Sequence, residues 1–114
     1  MGPDAYWLLV HRPATLVFRT IHFDKAGETG DDRVVQAEIA DVAADGTALL
    51  VTRGGIPVRV PVAVLFPVHP AGTPPERQSY VGGHELVRNF HPARDEPRAT
   101  SRWLSRAEVE EVLD

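Results

Sequence analysis

Residues 51–62 (VTRGGIPVRVPV) decide the fold. From Ile56 onward the side chains alternate: Ile56, Val58, Val60 and Val62 fall on one face, and Pro57, Arg59 and Pro61 on the other. That period of two belongs to a half-buried strand. Proline has no backbone N–H, and N–H directions alternate along a strand as side chains do. Pro57 and Pro61 therefore withhold donors from a single flank and leave the other flank free to bond a hairpin partner. Residues 56–62 are thus predicted to be an edge strand, with the prolines blocking unwanted strand addition. The partner immediately precedes it: residues 47–53 (TALLVTR) read as a strand, and Gly54-Gly55 offers the positive φ angles of a two-residue hairpin turn.

Working outward, Arg33 to Val42 also alternates, with Val35, Ala37 and Ile39 opposed to Gln36 and Glu38, and Asp45-Gly46 marks the tight turn into the next strand. Upstream, residues 5–10 (AYWLLV) and 15–23 (TLVFRTIHF) are aromatic and β-branched, and His11-Arg12-Pro13 separates them. They are predicted as two strands, with Tyr6, Trp7 and Phe18 in or beside the core. Residues 24–32 (DKAGETGDD) hold two glycines and four carboxylates, the composition of a solvated loop. The spacing is not that of a calcium loop, since the sixth place from Asp24 is not glycine and the twelfth is not glutamate. Downstream come a turn around Pro61–Val64, a short strand over 65–68 and a proline-rich break at 70–75.

A long acidic loop between early strands, a three-strand meander ending in an edge, one turn and a last short strand: over residues 15–68 this order resembles the SH3-like or Tudor-like small barrels. The resemblance rests on strand order and turn placement and implies a mainly β fold, a small, partly open barrel over residues 1–72. Residues 73–102 are expected to be a proline- and arginine-rich connector with room for a hairpin over 77–90 turning at Gly82-Gly83, and irregular over 91–102. Residues 103–114 are expected to be a short C-terminal α-helix. Ser105 with Glu108 three residues later fits a capping box, and Leu104 with Val109 fits a hydrophobic staple. A helix of about nine residues is too short to stand alone in water. Its Val109, Val112 and Leu113 stripe must dock on the barrel, meet a partner or join a larger assembly. Glu110, Glu111 and Asp114 lie at the unfavourable end of the helix dipole.

Composition narrows the function classes. The chain of 114 residues has 43% hydrophobic and 25% charged residues, within the globular range. It has no cysteine, which excludes disulfides and thiolate chemistry. Net charge is −4, and the first seventy residues and the rest each carry six basic and eight acidic groups, a balance that does not favour nucleic acid. Apolar runs such as Val62 to Val68 fall far short of a bilayer span of about 20 residues, so no membrane association and a cytoplasmic location are expected. No nucleotide-phosphate loop and no nucleophile-elbow serine occurs, and no cofactor is expected. His84, Glu85 and His91 are the tightest histidine group, but His84 and His91 are seven residues apart on a strand-and-loop stretch, so no metal site is expected.

Three functional expectations follow. The first is a non-catalytic binding or regulatory module that contacts a protein partner, or another copy of itself, through the barrel and C-terminal helix. Val109, Val112 and Leu113 would supply apolar contact, flanked by Arg102 and Trp103, whose indole serves either as that contact or as an internal anchor. The second is nucleic-acid recognition by an outer barrel face carrying Arg19, His22, Arg53 and Arg59. The stretch WLSRAEVEEVLD over 103–114 resembles the opening helix of excisionase-type or MerR-like DNA-binding domains, a resemblance that implies DNA binding but ends before a recognition helix. The third is a small enzyme using His84 with Glu85 at a barrel mouth, against which stands the opposite facing of adjacent strand residues.

Overall fold

The computed structural model describes residues 7–91 and 96–114. The fold is mainly β. Seven strands, β1 (Pro13–Asp24), β2 (Gly27–Val42), β3 (Thr47–Thr52), β4 (Pro57–Pro61), β5 (Phe66–Pro67), β6 (Tyr80–His91) and β7 (Glu96–Trp103), form one curled half-barrel sheet, followed by a helix, α1 (Arg106–Leu113). The strand order is β4-β3-β2-β1-β6-β5, with β7 also beside β6. All neighbours are antiparallel except β1 and β6, which run parallel.

The deciding hairpin is an edge, as its prolines require. Val62 N donates to Gly46 O at 2.8 Å and Thr52 N to Ile56 O at 2.9 Å, so the even-numbered residues of the β4 segment bond inward and Pro57 and Pro61 face outward. The turn itself differs from the expectation. Only Gly55 has a positive φ, +84°. Gly55 N donates to Thr52 O and Ile56 N to Thr52 Oγ1, giving a three-residue loop of Arg53, Gly54 and Gly55.

Register explains how one sheet makes two structures. The outer flank of β2 pairs with β3 only from Ala37 to Val42. The outer flank of β6 is shared, with β5 at residues 80–81 and β7 at 84–91. One end of the sheet is therefore a half-barrel, and the other is a four-stranded blade of β2, β1, β6 and β7. The principal extents of 53 × 30 × 26 Å reflect that projection. The radius of gyration, 16.3 Å, exceeds the roughly 13 Å of a compact chain of this length.

Two cores follow from burial on both faces of β1. On the concave side Leu9, Ala14, Leu16, Ile39, Ala48, Leu50, Val60, Leu65 and Tyr80 pack together. On the convex side Val17 meets Val81, Leu104 and Val109. The capping box of α1 is present in both directions, and Leu104 and Val109 are both fully buried.

Several expectations are corrected. Residues 7–9 form a 3-10 turn, not a strand, in which Leu9 enters the core and Trp7 is left 70% exposed; Tyr6 lies outside the described residues. Residues 24–32 are solvated but not a loop: β1 and β2 continue in register to a two-residue turn at Lys25-Ala26, where Asp24 Oδ1 accepts from Ala26 N at 2.8 Å. Gly82-Gly83 is not a turn, and there is no hairpin over 77–90, because β6 runs straight through both glycines beside β1. Residues 96–102 of the expected connector are β7, which also takes Trp103 from the expected helix, and α1 begins at Arg106; residues 92–95 lie outside the described residues.

Candidate functional site

On the convex face the register aligns side chains from four strands into rows. One row reads Asp32, Arg19, Glu85, Arg102 across β2, β1, β6 and β7. Glu108 of α1 extends it, and the charges alternate without interruption. Arg19 Nε donates to Asp32 Oδ1 at 3.1 Å and Arg19 Nη1 lies 3.7 Å from Glu85 Oε2. Arg102 Nε donates to Glu85 Oε1 at 3.0 Å and Arg102 Nη1 to Glu108 Oε1 at 2.9 Å. Glu85 is 7% exposed, and two guanidiniums offset the cost of desolvating its carboxylate. The Asp32 carboxylate raises the Arg19 pKa.

Glu108 does two jobs, accepting from Arg102 and from the Ser105 backbone N–H, and these hold its carboxyl at about 2, below an ordinary 4.5. A depressed carboxylate contributes stability that is present above its unfolded pKa and lost as pH falls through the folded one. Wild-type stability is therefore expected to decline between pH 4.5 and about 2 through this group, and Glu108→Gln to remove that portion of the pH dependence while leaving the rest. Acid-unfolding curves of the two proteins check this; parallel curves through that window would contradict it.

Beyond the charged row lie two more, Gly30, Ile21, Val87, Thr100 and then Glu28, Phe23, Asn89, Arg98. Here the helix no longer covers the sheet. Ile21 and Val87 are half-buried, Phe23 is 39% exposed and Val34, nearer α1, 49% exposed. The opposite face of the blade carries an open groove of about 560 Å³ lined in part by His22, Leu86, Arg88 and Ala99.

The expected protein-binding residues separate. Val109 is fully buried against Val17, Val81 and Leu104, Val112 packs on the same cluster, and Leu113 is 37% exposed. Trp103 packs on the concave core and meets the His84 ring edge-on at 4.9 Å, while Arg102 is held by two carboxylates. Val109 is thus corrected from partner contact to internal strut, because Leu104 and Val109 fill the space above Gly83.

The expected basic face does not assemble. Arg19 is convex and paired with Asp32, His22 points from the other face beside Asp24, and Arg53 sits in the β3–β4 loop. Arg59 aligns through Leu49 with Asp41, nine residues along β2 from the Asp32 that pairs with Arg19, or roughly 30 Å by strand rise. His84 and Glu85 face opposite sides, toward Trp103 and Arg102 respectively.

Sequence reasoning missed Asp32, Glu85, Ile21, Phe23 and Val87 as members of one surface. The alternation of Arg19, Ile21 and Phe23 was visible, but which strands flank them was not. No family model, no curated protein and no solved structure matches the chain.

Proposed function

We propose that this chain is a non-catalytic binding module acting through protein–protein contacts, and that the convex face of the blade, not the buried stripe of α1, makes the contact. One observation carries the reading: Ile21, Phe23 and Val87 sit together on the neighbouring strands β1 and β6, outside the cover of α1, on a four-stranded hydrogen-bonded sheet. Aromatic and aliphatic side chains presented on a preformed sheet lose little conformational freedom on binding, and so act as anchors at interfaces. The charged row beside them supplies a polar rim.

Affinity capture from a lysate of the source cells tests this with wild type and an Ile21→Asp/Phe23→Asp variant. Wild type is expected to retain a partner that the variant loses, at similar thermal stability, since neither residue belongs to the two buried cores. Undiminished capture by the variant would move the contact elsewhere.

A further inference from the structure

We infer that the blade assembles with other copies of this chain, the β7 edge of one copy adding in parallel to the β2 edge of the next. The inference rests on the module reading and names its partner. Three observations, independent of the apolar face, carry it.

The first is that both edges are open among the described residues. β2 has no outer neighbour over residues 28–34, and β7 pairs only with β6. Residues 28–34 and 98–102 are all exposed.

The second is charge. On the convex face the open stretch of β2 carries Glu28 and Asp32 and residues 98–102 of β7 carry Arg98 and Arg102, while Asp31 and Arg33 of β2 lie on the other face. These convex rows repel their own kind: β7 against β7 about Thr100 sets Arg98 opposite Arg102, and β2 against β2 about Gly30 sets Glu28 opposite Asp32. Opposite edges attract. The within-chain rows place Glu28 level with Arg98 and Asp32 level with Arg102. A second copy added without axial slip therefore continues the alternation, with Arg102 of one copy beside Asp32 of the next and Arg98 beside Glu28.

The third is backbone polarity. β2 is antiparallel to β1, β1 parallel to β6 and β6 antiparallel to β7, so β2 and β7 point the same way and the added pair is parallel. Leu104 N donates to Gly83 O at 2.8 Å, which turns Arg102, Thr100 and Arg98 inward and Ser101 and Ala99 outward. Ile39 N donates to Arg12 O and Arg53 N to Gln36 O, which turns Glu28, Gly30, Asp32 and Val34 of β2 outward. A parallel ladder needs each outward residue to bond the two neighbours of its opposite number. With Arg102 level with Asp32, Ser101 faces Asp31 and bonds Gly30 and Asp32, and Ala99 faces Thr29 and bonds Glu28 and Gly30. Charge and hydrogen bonding thus select the same register, at the loss of one donor where Pro97 faces outward.

Such a contact joins different patches, so it propagates head to tail into an open chain or a ring, and its strength falls with salt. The test is light scattering behind size exclusion on the full chain over a concentration series at low salt, with Glu28→Arg, Arg98→Glu and the double variant; circular dichroism melts confirm folding. Wild type is expected to exceed the 12.5 kDa monomer mass in a concentration-dependent way. Each single reversal is expected to return it to monomer, and the double variant to restore assembly. A wild type monomeric at every concentration, or assembly indifferent to the single reversals, overturns the inference. In either case, capture of another protein that depends on Ile21 and Phe23 would leave the module reading standing.

Discussion

Val109→Asp is expected to unfold this chain. Val109 is 0% exposed, and the cluster around it is Val17, Val81 and Leu104, with Phe66 and Val112 at its margin. None of these side chains can donate a hydrogen bond to a carboxylate, so the charge is desolvated without compensation. Losses of this kind exceed about 4 kcal/mol, against a total stability of about 5–15 kcal/mol for a domain. The milder Val109→Ala removes two methyls and leaves a void, at a cost of about 2 kcal/mol. Leu113→Ala, at a residue 37% exposed, should change little. Urea denaturation of the three variants separates the roles of the helix: a handle for partners would let Val109→Asp fold normally, whereas a strut would not.

Gly83→Ala is expected to lower stability by about 1–3 kcal/mol, although the substitution adds one methyl to a strand and alanine ordinarily suits a strand better than glycine. A Cβ at Gly83 would stand 2.8 Å from Leu104 Cδ1, 3.0 Å from Val17 O and 3.1 Å from Val109 Cγ2. The Val17 carbonyl belongs to the backbone of the central strand and cannot give way. The helix must lift instead, and Gly83→Val should lift it further. Gly30→Ala in the blade is the internal control: its Cβ would find only Thr20 O, at 3.9 Å. That variant is expected to be neutral or stabilised by about 0.4–1 kcal/mol through a less flexible unfolded chain. Thermal melts should show a loss for Gly83→Ala and none for Gly30→Ala, and equal losses would mean that close approach at Gly83 is not what selects glycine.

The two glycines also show where sequence reading stops. Gly82-Gly83 resembles Gly54-Gly55 residue for residue, and both pairs read as turns. Only the second is one. A missing Cβ serves equally for a positive φ and for close packing, and the choice at Gly83 depends on Leu104 and Val109, some twenty residues away. The acidic stretch 24–32 misled for a related reason. Its composition reports solvation correctly, since every residue there is exposed, but paired strands can be as solvated as loops when they project beyond the core. Trp7 shows the converse, an aromatic residue in an apolar run that the backbone turns outward.

Local chemistry alone was enough for the edge strand with Pro57 and Pro61, the 47–62 hairpin, the turn at Gly46 and the capped helix at Ser105, because each depends on residues no more than a few places apart. The mainly β class followed from the same signals. Only the tertiary structure decided that β6 runs parallel to β1, that α1 is braced over Gly83, and that Asp32, Arg19, Glu85, Arg102 and Glu108 form one alternating row. Those pairings span up to 66 residues of chain, from Arg19 to Glu85, and alternation within a strand states which residues share a face but not which strand lies next to it.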